Sequence, residues 1–204
     1  MLCHQELLEN GDTLAVWRME ESAEELLRLF VSCRSAYESE ISSYKSDKRK
    51  IEYLAVRAAL KSVLGRECLV GHEESGKPFI ESTDNIRLSI SHTKGYASVL
   101  VSSSRNVGVD VEQMSDRIFR VKNKFLDESE RLLCGEDDKV RLLLAWSAKE
   151  VIYKLVPGLR PEYWEQVRVV SFDMDNLKMD MEVEGIGIVP LFFTLFPDFV
   201  LVRN

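Results

Sequence analysis

Ser46-Asp47-Lys48-Arg49-Lys50-Ile51-Glu52-Tyr53-Leu54-Ala55-Val56-Arg57-Ala58-Ala59-Leu60-Lys61-Ser62-Val63-Leu64-Gly65 places apolar residues at Ile51, Leu54, Ala55, Ala58, Ala59 and Val63. That spacing predicts a long helix with one buried face, and Gly65 marks its end. Short β-type runs follow at Pro78 to Ile80, Ile86 to Ser91, Tyr96 to Val101 and Val107 to Val111, separated by Gly, Ser, Asp and Asn, which predicts adjacent antiparallel strands. Helical patterning returns over Asp116 to Phe125 and Asp127 to Leu133. A second long helix runs from Asp137 to Leu155, with Val140, Leu143, Leu144, Ser147, Val151 and Leu155 on one side and Pro157-Gly158 at its end. Upstream, Leu14 to Met19 reads as a strand, and Ser22 with Glu25 forms a capping box for a helix through Phe30. Downstream, β patterning covers Val167 to Phe172, Met179 to Val183, Ile186 to Phe196 and Phe199 to Val202. This order defines an α+β chain and suggests two halves, 1–104 and 105–204. Ser102-Ser103-Ser104-Arg105-Asn106 is either the linker between them or a hairpin turn from Val101 to Val107.

The composition narrows the function. With 204 residues, 45% hydrophobic and 30% charged, the chain can bury its own core. No apolar run approaches the roughly 18 residues of a membrane span. The first residues, Met1-Leu2-Cys3-His4-Gln5-Glu6, lack the pattern of a secretory signal, so a soluble cytoplasmic protein is expected. Cys3, Cys33, Cys68 and Cys134 form no metal or redox spacing and receive no chemistry. A net charge of -7 argues against nucleic-acid binding. One segment opposes that average, with Lys45, Lys48, Arg49, Lys50, Arg57, Lys61 and Arg66 set against Asp47 and Glu52. It is either a solvated helix face or a surface for a compact anion, and Arg49, Arg57 and Lys61 can share a side of the helix.

Three clusters can carry chemistry. In Gly108-Val109-Asp110-Val111-Glu112, strand alternation sends Asp110 and Glu112 to one face while the valines enter the core. Adjacent carboxylates repel, and a hard cation such as Mg²⁺ would balance them; an exposed Asp-x-Glu on a solvent face is the plainer alternative. In Trp146-Ser147-Ala148-Lys149-Glu150-Val151-Ile152-Tyr153-Lys154, Glu150 and Lys154 are four apart. They form either a helix-stabilising pair of about 0.3–0.5 kcal/mol, or a metal ligand or general base beside a phosphate-binding cation. In Gly76-Lys77-Pro78 and Ser89-Ile90-Ser91-His92, a strand ends at a polar corner where Lys77, Ser91 and His92 could meet a phosphate or His92 could simply cap the strand. His4 and His72 have no ligand spacing.

Taken in order, these motifs resemble the phosphopantetheinyl transferases, specifically the larger monomeric type of two fused similar halves. The resemblance spans roughly residues 46 to 155. It implies an α+β pseudo-dimer, each half an antiparallel sheet on a long helix, with the active site at their interface. It implies transfer of 4'-phosphopantetheine from coenzyme A to a serine of an apo acyl or peptidyl carrier protein, without nucleic-acid or membrane partners. Asp110, Glu112 and Glu150 would bind Mg²⁺, and Glu150 and Lys154 would be catalytic. Lys48 or Arg49, with Arg57, Lys77, Ser91, His92 and Lys154, would contact coenzyme A. Arg117 to Leu126 resembles the carrier-facing segment, although an ordinary amphipathic helix would read the same way. The Leu155 to Pro161 stretch departs from the glycine-rich loop common there. Two other readings stay open: a non-catalytic coenzyme A or carrier-binding module, and a metal-dependent phosphohydrolase.

Overall fold

Caps and helix-breaking glycines set the element boundaries. The computed structural model describes residues 1–81, 86–156, 158–159 and 164–204, the Trp164 side chain excepted. Pro157, Arg160 and Pro161, expected to shape the loop after the second long helix, lie outside the described residues. Contacts divide the chain into two units, Met1–Val107 and Gly108–Asn204.

The first unit runs β1 (Leu2–Leu7), β2 (Thr13–Arg18), α1 (Ala23–Leu27), α2 (Arg34–Ser42), α3 (Asp47–Leu64), β3 (Val70–His72), β4 (Pro78–Ile80), β5 (Arg87–Thr93) and β6 (Tyr96–Ser102). Its strands pair antiparallel in the order β1-β2-β6-β5-β4-β3. The small residues of the α3 stripe, Ala55, Ala58 and Ala59, let that helix lie close on β2 and β6, around Ala15, Trp17, Ala97 and Val99. Gly65 ends α3 at φ 66°, a left-handed conformation that glycine adopts without strain. The Ser22–Glu25 capping box opens α1, which stops at Leu27 rather than Phe30. At the start of α2, the Glu67 carboxylate accepts from the backbone N–H groups of Val31 and Cys33, from Ser32 Oγ and from Lys61 Nζ. Burial alone would raise its pKa, but these donors outweigh it and hold the carboxyl at about 2.

The second unit runs β7 (Val109–Gln113), α4 (Arg117–Val121), a 3₁₀ turn (Lys122–Lys124), α5 (Glu128–Cys134), α6 (Lys139–Leu155), a second 3₁₀ turn (Trp164–Gln166), β8 (Val167–Asp173), β9 (Lys178–Val183), β10 (Gly187–Leu195) and β11 (Phe199–Arg203). Its antiparallel sheet has the order β7-β11-β10-β9-β8, and α6 packs on β7, β8 and β11. The Asp138 side chain caps α6 by accepting from Arg141 N–H, so the helix starts two residues after the expected Asp137.

The mixed α+β reading holds, with corrections. The strand expected at Val107–Val111 does not lie beside β6: it is β7, on the edge of the second sheet. The hairpin alternative for Ser102–Asn106 therefore fails, since the segment joins strands of different sheets. Ser102 Oγ accepts from the N–H groups of Ser104 and Arg105, turning the chain there. β1, α2 and β3 were not anticipated.

Candidate functional site

In the second unit, chemistry gathers where β7 meets α6. A Cβ on Gly108 would lie 2.9 Å from the Val151 carbonyl oxygen and 3.0 Å from Leu155 Cγ. Only glycine permits this approach of helix to strand. It brings the last turns of α6 against Asp110, where Lys154 Nζ donates to Asp110 Oδ1 at 2.9 Å and to the Val109 carbonyl at 2.7 Å. Asp110 is buried and Glu150 half-buried. Burial first, and then the Asp110 charge, raise the Glu150 pKa above the usual carboxylate range; Lys154 opposes both. Glu112 faces α6 too, accepting from Trp146 Nε1 at 3.0 Å. Val109 and Val111 are buried in the core as expected, on the face of β7 away from the cluster under α6; the carboxylate side of β7 is the helix-facing side.

Among the described residues, no three His, Cys, Asp or Glu side chains form a group that could hold a metal ion. The structure brings Asp110, Glu150 and Lys154 together, while Glu112 is engaged by Trp146. The chemistry of the donors nevertheless suits magnesium, which keeps several waters and commonly takes only one or two carboxylates together with substrate phosphates.

The first unit holds a cavity of about 540 Å³ lined by Arg49, Arg57, His92, Tyr44, Tyr53, Glu52, Gly76 and Pro78, among others. Arg57 lies on its wall, 7% exposed, with its guanidinium 3.5 Å from the Tyr53 ring centroid. Burial lowers its pKa, and the neighbouring tyrosines oppose that. Its Nε has no hydrogen-bond partner and it joins no ion pair among the described residues. His92 Nε2 is 3.2 Å from Arg49 and its Nδ1 3.7 Å from Glu52, which also pairs with Arg49 and Lys48 at 3.6 and 3.5 Å. Glu52 thus sits among Lys48, Arg49 and His92 at one end of the basic segment.

Other candidates fall around the cavity rather than on it. Lys48 is exposed, Lys77 Nζ donates to Asn106 Oδ1 at 3.1 Å, and buried Ser91 on β5 is not among the lining residues. Lys61, one turn after Arg57 on α3, donates to the Leu29 carbonyl and to Glu67 and is not among the residues lining the cavity. His72, set aside in the sequence, does line the cavity, as do Tyr44 and Tyr53. The one sequence signal for Tyr53 was its position four residues before Arg57, which brings a ring and a cation together on a helix. In the segment Arg117 to Leu126, Ile118, Phe125 and Leu126 are buried in the core while Arg117, Arg120 and Lys124 are exposed, so its outward face is basic rather than apolar. The four cysteines are free thiols, and burial pushes that of Cys134 up to about 12. No helix among the described residues is long and apolar enough to cross a membrane.

Residues 106–182 match the family model of the 4'-phosphopantetheinyl transferase superfamily. The matched stretch holds Asp110, Glu112, Glu150 and Lys154, and the cavity of the first unit lies outside it. The class of reaction supported is therefore transfer of phosphopantetheine. No curated protein matches the chain.

Proposed function

We propose that this chain, acting as a monomer in the cytoplasm, transfers 4'-phosphopantetheine from coenzyme A to a serine of an apo acyl or peptidyl carrier protein and releases adenosine 3',5'-bisphosphate. The observation that carries this reading is the gathering of Asp110, Glu150 and Lys154 on β7 and α6, within the stretch that matches the superfamily. Magnesium, held by Asp110, Glu112 and Glu150, would supply positive charge to the pyrophosphate oxygens. Lys154, already tied to the strand edge, adds a fixed cation for charge developing on the phosphoryl oxygens. The serine hydroxyl attacks the phosphorus bearing pantetheine. Its proton passes to Glu150, and the bond to the 3',5'-bisphosphate oxygen breaks. In the first unit, Arg57 and Arg49, with His92 on the same wall, are proposed to bind the nucleotide phosphates, and Lys48, Lys77 and Ser91 take supporting places near them.

Incubating the full chain with coenzyme A, Mg²⁺ and an apo carrier, and weighing the carrier by mass spectrometry, tests this. A gain of one phosphopantetheine arm is the expected result. Phosphate release without a modified carrier would mean hydrolysis, and neither product would mean a binding module; both results contradict transfer.

A further inference from the structure

Trp146 precedes Glu150 by one helical turn and points at β7, where its indole N–H donates to Glu112 Oε1. Its ring meets the Phe125 ring edge-on, with centroids 5.1 Å apart and planes at 84°. Phe125 is fixed in turn. Its side chain is 2% exposed in the core, and its carbonyl accepts from Lys149 Nζ at 2.7 Å. Lys149 also reaches both oxygens of Glu130, at 2.9 and 3.0 Å, and Glu130 accepts from Asp127 N–H at 3.0 Å and Val169 N–H at 2.9 Å. A continuous set of contacts therefore runs from the buried Lys149–Glu130 pair, through Phe125 and Trp146, to the Glu112 carboxylate. The adjacent motif residues Lys149 and Glu150 serve opposite directions, one toward the core and the other toward Asp110.

We propose that Trp146 is a positioning residue that fixes the orientation of the Glu112 carboxylate for a divalent cation, with the Lys149–Glu130 pair as the footing that keeps Phe125 and the indole in place. The proposal rests on the metal reading given above. A carboxylate free to rotate has several rotamers to lose on binding a cation, whereas one held by an N–H donor has already lost them.

Mn²⁺ binding to the full chain with coenzyme A, followed by electron paramagnetic resonance, tests it without relying on turnover. Trp146→Phe keeps a ring against Phe125 and removes the N–H together with part of the indole's contact area. Mn²⁺ affinity should fall about tenfold with little change in melting temperature. In a Glu112→Gln background the same substitution should cost nothing further, because its effect passes through Glu112. Unchanged or tighter Mn²⁺ binding in Trp146→Phe, or an equal loss in both backgrounds, overturns the proposal. If Trp146→Phe fails to fold, Phe125→Leu carries the test, since it leaves the indole in place but removes its support; it should weaken Mn²⁺ several-fold, and no change overturns the proposal. A wild-type chain that neither binds Mn²⁺ with coenzyme A nor modifies a carrier removes the metal reading and this inference together. A wild-type chain that does both, with an indifferent Trp146→Phe, removes only this inference.

Discussion

Arg57 on α3 and Lys149 on α6 are both cations buried on the long helix of their unit, yet their surroundings differ. Lys149, fully buried, has a carboxylate and a carbonyl within hydrogen-bond distance. Burial lowers its pKa, and Glu130 opposes that. Arg57 has an aromatic ring beneath it, one long bond of 3.4 Å to the Tyr53 carbonyl, and a cavity in front of it. A buried charge whose partners are built in is a structural element, whereas Arg57, with a ring, one long bond and a cavity before it, is the cation we propose for an anion from outside. Burial alone does not separate the two roles; the partners do.

That distinction can be broken most directly at Lys149. Lys149→Met leaves Glu130 buried without its counter-charge and should cost about 3–5 kcal/mol in denaturant unfolding, with much of the loss recovered on adding Glu130→Gln. A cost below about 1 kcal/mol would mean the pair is no footing. Arg57→Met removes no fixed ion pair, so stability should change by less than about 1 kcal/mol, while coenzyme A affinity measured by calorimetry should fall about tenfold, or about 1.4 kcal/mol. Large destabilisation with intact affinity would reverse the roles assigned to the two cations.

Glu67 extends the comparison to an acid whose donors are all internal. Its folded pKa of about 2 lies below the ordinary 4.5, so the stability it contributes is present above pH 4.5 and is lost as pH falls toward 2. Glu67→Gln should cost about 1 kcal/mol at neutral pH and flatten that acid-side slope in a melting series. Ser147 marks the lower limit of expected effects. Its hydroxyl is fully buried with no hydrogen-bond partner among the described residues, so Ser147→Ala should leave stability within about 0.5 kcal/mol or raise it slightly.

The sequence made α3, α6 and the Ser22–Glu25 box legible because period and caps are local properties. β1 escaped because its residues are almost all exposed and show no alternation; backbone pairing with β2 holds it. α2 escaped because only Tyr37 and Ile41 are buried, too short a stripe to register. β7 was found as a strand but given the wrong neighbours, since alternation reports a face and not a partner. The carboxylates, Lys154 and Arg57 were visible as residue types in motifs. The links that organise them, Trp146 to Glu112, Lys149 to Glu130 and Tyr53 under Arg57, depend largely on side-chain directions and on tertiary packing, which spacing along the chain does not encode.

The central claim is a division of labour between a phosphate-binding wall in one unit and carboxylate chemistry in the other. It is tested most directly with Glu150→Gln, by measuring coenzyme A affinity and carrier modification on the same preparation. Coenzyme A should bind within a few-fold of wild type while carrier modification is lost. Carrier modification by Glu150→Gln at the wild-type rate would contradict the account.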